Sequence, residues 1–146
     1  MYTHEGGTAT PLIAHWPEGI PAKGELRRAT GHVIDLMPTL VEVSGASYPE
    51  SVGGKDIKPM EGKSLVPVFR SDSGITERDL FWEHLGKRAV RRGNWKAVGS
   101  KKDPWELYDL KTDPTETKDL AAGNPERIAE LKALWQAWAK RCDVLK

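Results

Sequence analysis

The sequence predicts a mixed helix-and-sheet chain that closes with a four-stranded antiparallel sheet and one long helix laid across it. Three observations carry this. Four short runs, Leu80 to Leu85, Arg88 to Arg92, Trp95 to Val98 and Trp105 to Leu110, follow one another too closely for parallel crossovers, so neighbours must be antiparallel. Glycine turns at Gly86-Lys87 and Gly93-Asn94 join them. Asn124-Pro125 then opens a helix to about Lys140, with Asn as N-cap and Pro at the first helical position. Its stripe of Ile128, Leu131, Leu134, Trp135 and Trp138 needs an apolar partner, and the sheet offers Phe81, Val90, Trp95 and Leu107.

The first half reads differently. Pro11 to Trp16 is an apolar run bounded by prolines and predicts a buried strand; Leu26 to Val33 predicts a second. Asp35 is expected to cap a helix in which Leu36, Leu40 and Val43 recur at helical spacing and which Gly45 stops. Residues 46–61 carry Pro49, Gly53, Gly54 and Pro59 without a period, which predicts a surface loop. Ser64 to Arg70 predicts a short helix, and Ser71-Asp72-Ser73-Gly74 a linker. The expected division is 1–74 and 75–146.

Composition narrows the function. With 22 basic and 21 acidic residues the net charge is +1, which gives no whole-chain attraction to nucleic acid or membrane. No apolar stretch approaches the length of a membrane span, and the start carries no basic region followed by an apolar run, so no signal peptide is read. Cys142 is the single cysteine, so no intrachain disulfide can form, and a packing role is expected for it. The four histidines, His4, His15, His32 and His84, have no helical zinc spacing, and no Gly-x-Ser-x-Gly elbow occurs. The basic stretch Lys87, Arg88, Arg91, Arg92 and Lys96, interleaved with Trp82 and Trp95, reads as a solvated sheet edge in preference to a pocket wall for an anionic substrate or a single-stranded nucleic-acid platform.

Three segments stand out in order: His4-Glu5-Gly6-Gly7-Thr8-Ala9-Thr10-Pro11 to Trp16-Pro17; Asp35-Leu36-Met37-Pro38-Thr39-Leu40 with Gly45; and Trp82-Glu83-His84 through Gly93-Asn94-Trp95-Lys96 to Trp105-Glu106-Leu107-Tyr108-Asp109-Leu110, Asp113-Pro114-Thr115-Glu116 and Leu120-Ala121. Together they resemble the C-terminal portion of arylsulfatase-type sulfatases, of the alkaline-phosphatase-like superfamily, from His4 to about Trp138. The resemblance implies an α/β fold (α+β for this chain alone): residues 1–74 end the α/β catalytic domain, and 75–146 form the antiparallel sheet-and-helix subdomain.

The implied reaction is hydrolysis of a sulfate ester by a formylglycine nucleophile, with calcium held by Asp and Asn oxygens. Formylglycine arises from a Cys/Ser-x-Pro/Ala-x-Arg motif that this sequence does not contain, so the chain alone is expected to be inactive and to bind no calcium. The family places a sulfate-binding Lys five residues before the Glu of Glu-Gly-Gly, which here counts back from Glu5 to position zero. An Arg often follows Glu-Gly-Gly by two residues, where this chain has Ala9. The chain therefore reads as a fragment of a longer sulfatase, periplasmic or secreted, that acts on a sulfated small molecule or glycan. The alternative is a non-catalytic module that binds a sulfated or anionic glycan or a partner chain.

Two residues are candidate substrate contacts. His4 abuts the anion site that the resemblance implies; its competing role is loop packing or capping. His84 shares a strand face with Trp82, near the family's pocket rim, and could equally be structural. Glu5 is expected to bond backbone N–H groups of the Gly6-Gly7 turn, and His15 and His32 to be structural. No catalytic or metal-ligating residue is assigned. Without a sheet to cover it, the exposed edge of residues 1–74, with the run at 11–16, is expected to promote self-association or leave that half partly disordered.

Overall fold

The computed structural model describes residues 2–71 and 77–145. The chain divides into two compact units: residues to Leu12 together with those from Glu77 onward, and the intervening Ile13–Thr76.

In the first unit, α1 (Glu5–Thr8) is a single turn. The sheet follows as β3 (Asp79–His84), β4 (Lys87–Arg92), β5 (Trp95–Ser100) and β6 (Glu106–Asp109), in that spatial order and antiparallel throughout; β1 (Ser51–Val52) and β2 (Lys55–Asp56) belong to the other unit. Helix α4 runs Pro125–Arg141. Register places Phe81, Val90, Ala97 and Leu107 in one row across the four strands. That row meets Leu131, Trp135 and Ala139 of α4 in the main core, with Trp95, Trp105, Leu120 and Ile128 around it. Phe81 stacks on Trp138 at 5.2 Å between centroids, and Trp135 Nε1 donates to the Trp82 carbonyl at 3.0 Å. The opposite sheet face carries a smaller cluster of Ala89, Val98 and Tyr108, with Trp82 and Leu110 beside it.

The first hairpin turn is Leu85-Gly86, one residue earlier than the sequence predicts, and Lys87 opens β4 opposite His84. Both turn residues have positive φ, 51° and 82°, the combination that matches the twist of a two-residue hairpin. A slip of one residue would send Val90 to the wrong face. Gly93-Asn94 forms the second turn as expected. Asn124 occupies the N-cap position of α4, but its side chain makes no cap bond; its Nδ2 donates back to the Leu120 carbonyl at 2.9 Å.

The basic stretch is not a solvated edge, because β4 and β5 are the interior strands. Lys96 is wholly buried. Arg92 is gripped by Asp79 through two bonds of 2.7 Å and by Glu130 at 2.6 Å, and those partners raise its pKa further. Arg88 lies over the Trp105 ring at 4.6 Å, where desolvation lowers its pKa.

The second unit contains α2 (Leu36–Ser44), a hairpin of β1 (Ser51–Val52) and β2 (Lys55–Asp56), and α3 (Val66–Arg70). The hairpin lies inside the predicted loop, its Gly53-Gly54 turn taking positive φ at both positions. Asp35 occupies the N-cap position of α2, but its side chain makes no cap bond there. It ends a 3-10 turn, Val33–Asp35, and its buried carboxylate accepts from the His32 N–H at 2.7 Å and the Lys63 N–H at 2.8 Å. The His32 ring Nδ1 accepts from the Ile34 N–H at 3.4 Å. Gly62 passes so close to Ile34 that a Cβ there would lie 2.0 Å from the Ile34 carbonyl oxygen.

Neither predicted strand of this half forms, at Pro11 to Trp16 or at Leu26 to Val33. Leu12, Ile13 and Leu26 are 59%, 91% and 83% exposed. An apolar run becomes a buried strand only where a neighbour takes its backbone hydrogen bonds, and among the described residues none does. The expected strand edge at residues 11–16 is therefore absent, and what stands open there is apolar side-chain surface. The linker residues 72–74 lie outside the described residues. Among the described residues no helix is long and apolar enough to cross a membrane.

Candidate functional site

The polar side of the sheet is built around one lysine. Alternation along β5 puts Ala97 toward α4 and Lys96 toward the opposite face, between Arg91 and Tyr108 in register. Its Nζ lies 2.6 Å from Glu5 Oε1, 3.1 Å from Glu116 Oε1 and 3.3 Å from Thr8 Oγ1. The Trp82 ring covers it at 5.5 Å. Glu116 also accepts the backbone N–H of Glu5. The Glu5 carboxylate thus bonds Lys96; the turn it opens is closed instead by the His4 carbonyl, which accepts from the N–H of Gly7 at 2.8 Å and of Thr8 at 3.1 Å.

These bonds hold the segment Thr3 to Thr8 on the sheet. Thr3 Oγ1 donates to the Arg88 carbonyl at 3.2 Å, and Gly7 approaches the Tyr2 carbonyl so closely that a Cβ would stand 2.0 Å from its oxygen. His4 then comes to rest half-buried, its Nε2 2.9 Å from Glu106 Oε2 and its ring edge-on to Tyr108 at 5.9 Å. Tyr108 donates to the same Glu106 oxygen at 3.0 Å. Burial and then this bond raise the phenol well above the ordinary tyrosine range.

His84, the second candidate, is exposed at the end of β3 opposite Lys87. Cross-strand partners point to one face, so His84 and Lys87 lie on the same side as Lys96. The Lys87 Nζ sits 4.5 Å over the Tyr2 ring, and Tyr2 meets the His4 ring at 6.1 Å. The fold therefore brings His4 and His84 to one sheet face, linked through Tyr2 and Lys87. Sequence reasoning missed Lys96 and Glu116. Read singly, each looks solvated; the one hint was the place of Lys96 on an interior strand of the sheet.

Among the described residues no group of three or more His, Cys, Asp and Glu side chains is arranged to hold a metal ion. The carboxylates of Glu5 and Glu116 are engaged by Lys96, and that of Glu106 by His4 and Tyr108. Among the described residues these side chains do not fit a calcium site.

A family model described as N-sulphoglucosamine sulphohydrolase, C-terminal, matches residues 1–140. The chain is 30% identical over 148 residues to an uncharacterised sulfatase of Schizosaccharomyces pombe, covering 97% of this chain and 26% of that protein. It is 30% identical over 164 residues to arylsulfatase A of Homo sapiens, covering 90% and 31%. With an N-acetylglucosamine-6-O-sulfatase of Bacteroides thetaiotaomicron it shares 28% over 141 residues, covering 92% and 25%. The chain thus spans about a quarter of the length of the curated relatives it matches. Its fold is similar to the crystal structure of Ps i-CgsB, with TM-score 0.64 and 23% identity over 86% of this chain and 27% of that one. It is also similar to a structure solved with its substrate D-glucosamine-2-N,6-O-disulfate, with TM-score 0.60 and 22% identity over 86% and 27%.

Proposed function

We propose a function from one premise: the chain belongs to the sulfatase family, as its C-terminal portion. In our reading it contributes one wall of a site that hydrolyses sulfate esters, with His4 and His84 facing the substrate. The nucleophile and the calcium ligands come from the N-terminal portion of a sulfatase. The observation that carries this is the fixing of His4-Glu5-Gly6-Gly7 on the sheet through Lys96, which sets His4 on the same face as His84. Relatives acting on substrates as different as an N-acetylglucosamine sulfate and choline sulfate support a sulfated small molecule or glycan as the substrate class.

The test compares the purified chain with the same chain joined to a sulfatase N-terminal portion, using an aryl sulfate. The chain alone is expected to release no sulfate, with or without calcium. The joined protein is expected to turn over and to weaken on His4→Ala or His84→Ala. Calcium-dependent release by the chain alone, or a joined enzyme indifferent to both substitutions, overturns the reading. A second reading, a non-catalytic module for sulfated or anionic glycan, draws on exposed His84 beside Lys87. Binding of a sulfated oligosaccharide by the chain alone, with no turnover in any joined form, would favour it.

A further inference from the structure

We propose that Lys96 is a positioning residue: through Glu5, Glu116 and Thr8 it sets the turn that carries His4, and so the place of the His4 ring. The proposal rests on the reading in which His4 faces substrate, and it assigns the cause of that placement.

The chemistry of Lys96 points away from ordinary packing. A wholly buried ammonium is tolerated only when paired and hydrogen-bonded, and an apolar residue of similar length would hold the sheet at least as well. The apolar core lies on the other face, among Val90, Ala97, Leu107 and α4, and does not include Lys96. What the ammonium does supply is three donors on one atom. Two of them go to acceptors on the turn, Glu5 Oε1 and Thr8 Oγ1. Glu116 Oε1 stands 3.1 Å from the ammonium as an ion-pair partner, and the other oxygen of that carboxylate accepts the backbone N–H at the start of the turn. Glu116 keeps a left-handed φ of 56°, unfavourable for a residue with a Cβ and sustained only where surrounding bonds determine it. Lys96 and Glu116 therefore grip the turn from both ends, across 91 and 111 positions of sequence. The Thr8 hydroxyl continues the chain of bonds to the His4 carbonyl at 3.2 Å. The His4 ring can reach Glu106 only while this turn stays seated.

The test uses this chain alone, in Lys96→Met and Glu5→Gln variants. Hydrogen exchange follows the amides of Gly7, Thr8 and Ala9, which close the turn. Nitrogen NMR of the His4 ring reports its bond to Glu106. In both variants the three amides are expected to exchange at least about tenfold faster, while those of Val90, Ala97 and Leu107 change by less than about twofold. The His4 ring nitrogens are expected to move to the pattern of a solvated imidazole. Folded variants with unchanged turn amides and an unchanged His4 ring overturn the proposal. So does a parallel loss of protection across the whole sheet, which would make Lys96 an ordinary fold residue. If Lys96→Met does not fold, Glu5→Gln, which leaves the sheet untouched, decides alone. No sulfate chemistry enters these measurements, so failure of the sulfatase reading and failure of this one are seen separately.

Discussion

Replacing Trp135 by alanine tests how the helix is held to the sheet. The ring is 3% exposed, edge-on to Trp105 at 5.9 Å and tilted against Trp138 at 6.1 Å. A buried indole removes about 150–250 Å2 from water. At about 25 cal/mol per Å2 this sets an upper bound of about 4–6 kcal/mol. Alanine keeps part of that burial, while the Nε1 bond to the Trp82 carbonyl is lost, at about 1 kcal/mol. The expected net loss is about 4 kcal/mol, within the usual range for truncating a core aromatic. The assay is urea denaturation followed by far-UV circular dichroism. With a slope of about 1–2 kcal/mol per M, the midpoint should fall by roughly 2–4 M. Trp135→Phe keeps a ring but loses the bond, and should cost about 1–2 kcal/mol. A midpoint in Trp135→Ala within about 0.5 M of the parent would refute the packing described above.

Three further outcomes are expected. Tyr108 has a folded pKa raised above its unfolded value of about 10, so its contribution to stability is complete below that pH and is lost as pH rises toward the folded value. The denaturation midpoint should decline in that alkaline window, and ultraviolet titration should show a tyrosine that ionises late and earlier in Glu106→Gln. Gly62→Ala places a methyl 2.0 Å from the Ile34 carbonyl oxygen, so the unit of residues 13–76 should become more sensitive to limited proteolysis while the dichroism of α4 persists. In a dilute monomer, amides of residues 11–45 should exchange faster than those of residues 80–140, since Leu12, Ile13, Leu36, Met37 and Leu40 are exposed; equal protection would contradict this.

The part of the fold that was legible in the sequence is the part whose partners lie within it. The four strands and α4 satisfy one another, so alternation, glycine turns and the Asn124-Pro125 start were enough. The turn at Leu85-Gly86 escaped because a leucine with positive φ is disfavoured, and only register against β4 requires it there. Pro11 to Trp16 misled because apolarity reports a preference for burial, while strand formation needs a neighbour as well. In the site, His4 and His84 were readable by type and by face. Their link was not, since it passes through Lys96 and Glu116, and a charged side chain read alone in sequence looks solvated.

The two-part composition of the sheet-bearing unit has a consequence for how the protein is made. Glu5 leaves the ribosome long before Glu116, its partner 111 positions later, so the early turn must wait for the residues between them to emerge. The entropy of closing that loop grows only logarithmically, at about 0.6 kcal/mol for each doubling of its length. Changes of length between residues 13 and 76 are therefore expected to cost the seating of the turn little, since the bonds that hold it are local in space, however distant they are in sequence.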